Sequence, residues 1–98
     1  MNIQNVMKQA QKMQKDLEEK QLEINKKIFP GKYSMVNIEM YGTKQLKSIT
    51  ISKDLDLASE DIEILEDAIL IAINNCMKEI DLELEKIYSS MPKIPGLF

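Results

Sequence analysis

Lysine carries the cationic chemistry of this chain. All 13 basic residues are lysines, with no arginine and no histidine. Lys8, Lys12, Lys15 and Lys26 stand out by spacing. At about 100° per residue of helix they fall within roughly 60° of one another. Lys20, Lys27 and Lys32 lie close by in sequence. A fixed row of cations neutralises phosphates or another polyanion. A plainer reading stands beside it. Lys12–Asp16, Lys15–Glu19, Asp16–Lys20 and Glu23–Lys27 are i,i+4 pairs of the kind ordinary solvated helices carry.

Other chemistry finds little support. Without histidine there is no imidazole base, no imidazole metal ligand and no near-neutral pH switch. One cysteine, Cys76, allows neither an internal disulfide nor a cysteine-cluster zinc site, and it sits on an apolar helical stripe as core. The carboxylates follow regular helical faces and lack the contrasting environments a paired-acid hydrolase needs. Pro30-Gly31 and Gly42 read as turn residues, and no phosphate-cradling glycine loop is present. Tyr33 and Tyr41 can stack on bases, but hairpin packing is the better explanation of both. Met7 and Met13 fall on or beside the packing stripe and read as core. No enzyme activity, cofactor, metal or small-molecule substrate is expected.

The chain has 98 residues and a net charge of −3. The charge is segregated: residues 1–32 carry +3, residues 33–53 carry +2 and residues 54–98 carry −8. Such asymmetry points to an interaction surface. The longest apolar run, Ala68 to Ile73, is far short of the ~20 residues of a membrane span. With a lone cysteine and no signal-like start, the expectation is a cytoplasmic protein that does not enter a membrane.

Three elements must position the lysines. Residues 2–27 read as a helix, with Ile3, Ala10, Leu17 and Ile24 a heptad apart and Val6 and Met13 between them. The Lys8/Lys12/Lys15/Lys26 face lies opposite this stripe, and Pro30-Gly31 is expected to end the helix. Residues 33–53 switch to period two, giving an antiparallel hairpin with a turn at Gly42–Gln45. Ile28-Phe29 is the candidate for a third strand. Residues 59–89 read as a second long helix, with Ser59 as N-cap and Glu60, Asp61 and Glu63 in the first turn. Its stripe is Ile62, Leu65, Ile69, Ala72, Cys76, Ile80, Leu84 and Ile87, with Glu60, Glu63, Asp67, Asp81 and Glu85 opposite. The stretch Ala68–Ile73 is apolar on every side, so a second copy of the chain is expected to cover part of it. The expected dimer core is Ile69, Leu70, Ile71, Ile73, Cys76 and Ile80. Residues 91–98 form a Pro/Gly tail, either flexible or docked by its apolar end on the partner subunit.

Three segments together resemble the YbaB/EbfC family of nucleoid-associated proteins. They are the opening helix from Asn2 to Gln14, the strands Met35–Gly42 and Leu46–Ile51, and the start of the second helix from Glu60 to Asp67 with Asn74-Asn75. The closing Pro95-Gly96-Leu97-Phe98 is typical as well. The link Phe29–Ser34 departs from the Gly-rich link usual in the family. The resemblance implies an α+β fold in one domain over residues 1–90, built as an intertwined, tweezer-like homodimer. It also implies a non-catalytic protein of the nucleoid that binds double-stranded DNA, alters its conformation, and has a role in nucleoid organisation and gene regulation. Two long helices joined by a hairpin also resemble prefoldin-type chaperone subunits, so a coiled-coil interaction module is the alternative.

Overall fold

The computed structural model describes residues 2–54 and 59–90, with side chains in the second stretch from residue 61 onward. The 91–98 tail and the Ser59 and Glu60 side chains, on which expectations rested, lie outside the described residues. The order is α1 (Ile3–Lys26), β1 (Ile28–Tyr33), β2 (Val36–Tyr41), β3 (Leu46–Ile51) and α2 (Ser59–Ser90). The strands form one antiparallel sheet in the order β1-β2-β3. The expected α+β layout is observed, in its three-stranded form.

Asn2 starts α1: its backbone is extended and its side-chain oxygen accepts from the Gln4 amide at 3.0 Å. The helix stops when Lys27 turns extended and donates its N–H to the Ile24 carbonyl. Pro30-Gly31 is therefore not the terminator. Both residues sit in the middle of β1, where they pair with Glu39 and Ile38. An edge strand tolerates proline because one row of its backbone groups has no ladder partner. Gly31 is there for close packing. A Cβ on it would lie 2.3 Å from the Ala72 carbonyl oxygen and 2.5 Å from the Cys76 sulfur.

Residues 33–41 are not one strand either. Tyr33 pairs with Val36, and Ser34-Met35 turns the chain, with Ser34 at φ 52°. That left-handed conformation is what tight hairpins need, and it is usually supplied by Gly or Asn. The Gly42–Gln45 turn falls where expected. The Tyr41 amide donates to the Gln45 carbonyl at 2.9 Å, and Lys44 takes φ 70°.

α2 is about 48 Å long and packs on β1 and β2 but not on β3. Its buried line is Ala68, Ala72, Cys76 and Ile80, spaced by four residues. Two alanines and a cysteine let the helix approach the sheet closely. Phe29, Val36, Ile38 and Met40 meet it from the sheet. Each large side chain buried here contributes about 1.5–3 kcal/mol. The Cys76 thiol donates weakly toward the Phe29 and Ile38 carbonyls at 3.5 and 3.6 Å. Burial pushes its pKa up, so the inert neutral thiol is favoured. Ile62 departs from the expected stripe and stays 47% exposed.

Candidate nucleic-acid interface

α1 is joined to the body by its last two turns. Ile24 is its one buried residue among those described. Gln21 Nε2 donates to the Tyr88 hydroxyl at 2.9 Å, and Lys27 Nζ lies 3.4 Å from Glu83. Positions rising along α1 meet positions falling along α2, so the helices run antiparallel. On the sheet side, the Gly42 N–H donates to the Lys27 carbonyl at 3.1 Å. A Cβ on Gly42 would lie 1.8 Å from the Ile24 carbonyl oxygen, so only glycine fits beneath the end of the helix. Gly42→Ala is expected to loosen this seat and cost about 2 kcal/mol. Amide exchange should accelerate at residues 20–27 before the α2–sheet core is affected.

Beyond that seat, α1 projects as an arm. The molecule extends 70 × 20 × 14 Å with a radius of gyration of 19.8 Å, against about 13 Å for a compact chain of this length. Lys8, Lys12, Lys15, Lys20, Lys26, Lys27 and Lys32 are all exposed. The first three lie on the arm, spread over about 10 Å, and Lys26 continues their line about 17 Å further on. The i,i+4 pairs that would make this an ordinary solvated face do not form. The ion pairs among the described residues are Lys27–Glu83, Lys44–Asp81, Lys47–Glu39 and Lys86–Glu83. Lys8, Lys12, Lys15, Lys20, Lys26 and Lys32 thus have no carboxylate partner among the described residues.

Lys27 stands apart from this set. It is paired with Glu83, and its ammonium lies 5.3 Å from the Phe29 ring centroid. Lys20 sits at the mouth of a cleft that also holds Glu23, Glu83 and Lys86. The Lys32 carbonyl accepts from the Asn75 side chain at 3.2 Å, tying its backbone to α2. Sequence reasoning missed Lys44, which pairs with Asp81 at 3.0 Å across an interval of 37 residues. No local spacing signals such a contact. The expected dimer-core residues divide. Cys76 and Ile80 have no exposed surface and belong to the protomer's own core, with Ile69 and Ile73 packed against it. Leu70 and Ile71 are 61% and 37% exposed.

The geometry thus defines a class: a small α–β–α chain that carries a charged helical arm on a sheet platform. Residues 1–93 match the model of the YbaB/EbfC DNA-binding family. A nucleoid-associated protein of Ruminiclostridium cellulolyticum is 37% identical, over 99% of this chain and 89% of its own. One from Streptococcus equi subsp. zooepidemicus is 42% identical, over 88% of each chain. The crystal structure of an uncharacterized protein from Helicobacter pylori superposes with a TM-score of 0.74. It is 19% identical, covers 91% of this chain and 95% of its own, and so supports the fold alone. The chain belongs to the YbaB/EbfC family.

Proposed function

We propose that this protein is a non-catalytic, nucleoid-associated DNA-binding protein of the cytoplasm that grips the phosphate backbone with the lysine face of α1. The observation that carries this reading is the row Lys8, Lys12, Lys15 and Lys26, exposed and with no ion pair among the described residues. The family and the names of the relatives support DNA as the partner. Lysine is a point charge without arginine's planar fork, the usual reader of guanine edges. Binding is therefore backbone-dominated and only weakly selective for sequence. Placing such arms on one duplex alters its conformation and serves nucleoid organisation and gene regulation.

The working unit is a homodimer. Ile49 lies opposite Ile38 in the sheet, on the face that α2 covers. α2 does not reach β3, and Ile49 is left 46% exposed beside Leu46 at 44%. The chain exposes 7621 Å², against about 5,700 Å² for a compact monomer of this mass. A second copy accounts for the excess.

Two measurements test this reading. In fluorescence anisotropy at one salt concentration, two duplexes of equal length and unrelated sequence should bind within about threefold of each other. Sedimentation should give twice the 11.3 kDa chain mass. A strong preference for one duplex, or a monomer, contradicts the corresponding half.

A further inference from the structure

α2 places carboxylates on two lysines at the foot of the arm. Lys27 Nζ lies 3.4 Å from Glu83 Oε1, and Lys44 Nζ lies 3.0 Å from Asp81 Oδ1. The two lysines are distant in sequence but meet around Gly42. The Gly42 N–H donates to the Lys27 carbonyl at 3.1 Å. Lys44 follows in the same turn, its N–H donating to the Tyr41 carbonyl at 2.8 Å. Lys26 directly precedes Lys27, is exposed and has no ion pair among the described residues. The foot therefore gathers three cations at the end of the lysine row, and one turn of α2 covers two of them. The Lys27 and Lys44 side chains are still 56% and 45% exposed. A ligand can reach both from solvent without moving the backbone.

We propose that the foot of the arm is a second contact for DNA phosphates, Lys27 and Lys44 beside Lys26, held shut by Glu83 and Asp81. This builds on the lysine-face reading of α1 and says where the duplex is kept from spreading. An ammonium meets a carboxylate or a phosphate through the same point-charge contact, so one occupant excludes the other. Glu83 is fixed in place. Its second oxygen lies 3.9 Å from Lys86 Nζ, and its side chain is only 33% exposed. It does not swing aside when a phosphate approaches. Lys27 has a further hold, the Phe29 ring with its centroid 5.3 Å from the ammonium. An exposed ion pair holds its lysine back by a factor of about 1.4 to 5. A phosphate at the foot also faces two carboxylates at short range, and that repulsion adds to the lost pair. Lys8, Lys12 and Lys15 on the arm carry no such partner among the described residues. The duplex therefore seats on the arm, and the acids of α2 limit its hold on the foot.

Neutralising the two carboxylates in the full chain tests this. Asp81→Asn/Glu83→Gln keeps side-chain size, and the Gln21–Tyr88 and Gly42–Lys27 hydrogen bonds still seat α1. Circular dichroism checks the fold. Anisotropy on one duplex across a salt series should show binding at least about fivefold tighter. The log–log slope should steepen by about 3.6, for two released lysines in each chain of a dimer at about 0.9 each. Lys27→Gln/Lys44→Gln should change the parent affinity by less than about twofold, yet return the neutralised variant to within about twofold of the parent. Glu63→Gln/Asp67→Asn removes the same charge from exposed positions of α2, at least about 21 Å along the helix from Asp81, and should leave the slope unchanged. A neutralised variant that gains no more than this control overturns the proposal. So does a gain that survives the loss of Lys27 and Lys44, or a parent already weakened severalfold by that loss. A parent whose binding ignores salt overturns the lysine-face reading as well. A salt-dependent parent with no gain in the variant overturns this proposal alone.

Discussion

Replacing Lys8, Lys12, Lys15 and Lys26 together by Glu is expected to weaken duplex binding by at least ~100-fold and to leave the fold and oligomeric state intact. The four side chains are exposed, and none forms an ion pair among the described residues. Surface substitutions of that kind usually change stability by no more than about 0.5 kcal/mol each. Carboxylates introduced at positions 12 and 15 stand one turn from Asp16 and Glu19, and this repulsion adds a few tenths of a kcal/mol. The matching Lys→Gln variant avoids that repulsion and should still lose most of the affinity. Lys78→Gln removes a charge from the exposed side of α2 and should change little. Anisotropy gives the affinities, and circular dichroism with sedimentation gives the structural control. A quadruple Glu variant that is folded and still binds DNA would move the interface off α1.

Gly31→Ala is expected to destabilise the α2–sheet core strongly. The added carbon meets backbone at the Ala72 carbonyl oxygen, 2.3 Å, and the Cys76 nitrogen, 2.8 Å, and the Cys76 sulfur at 2.5 Å. A flexible side chain can swing away from such a clash, but the backbone of a 32-residue helix cannot. α2 must lift from β1, and the contacts of Cys76, Phe29 and Ile38 loosen with it. A loss of about 3 kcal/mol follows, at the upper end of ordinary overpacking. A urea melt should show it as a lowered midpoint with little change in slope. A midpoint within error of the parent would mean that the helix and sheet are not packed this closely.

These two sites differ in how far the sequence disclosed them. The lysine face was legible because a helix converts spacing into direction. The absence of i,i+4 pairing on it was not, because rotamer choice decides between a neighbour and water. β1 was legible only at its start, Ile28-Phe29; its continuation was hidden by Pro30-Gly31, which reads as a helix stop and a turn until its place at a sheet edge under α2 is known. The Ser34 turn was hidden because the left-handed position carries neither Gly nor Asn. Along α2 the heptad stripe included Ile62, whereas the sheet selects the four-spaced line from Ala68 to Ile80. The small residues on that line gave no strong hydrophobic signal, yet their size sets how closely the layers approach. Lys27 looked like one more member of the basic surface; its partner Glu83 lies 56 residues away and is brought near only by the antiparallel crossing of α1 and α2.

The most direct test of the central claim, that lysines on α1 bind DNA through its phosphates, is the salt dependence of affinity. Each neutralised phosphate contributes about 0.9 to the slope of log K against log salt. Four lysines per chain acting in a dimer give a slope near −7, a loss of about 10⁴-fold between about 50 and 200 mM salt. The Lys8/Lys12/Lys15/Lys26→Gln variant should reduce that slope to near zero. A parent affinity that barely changes with salt would contradict phosphate neutralisation as the mode of binding.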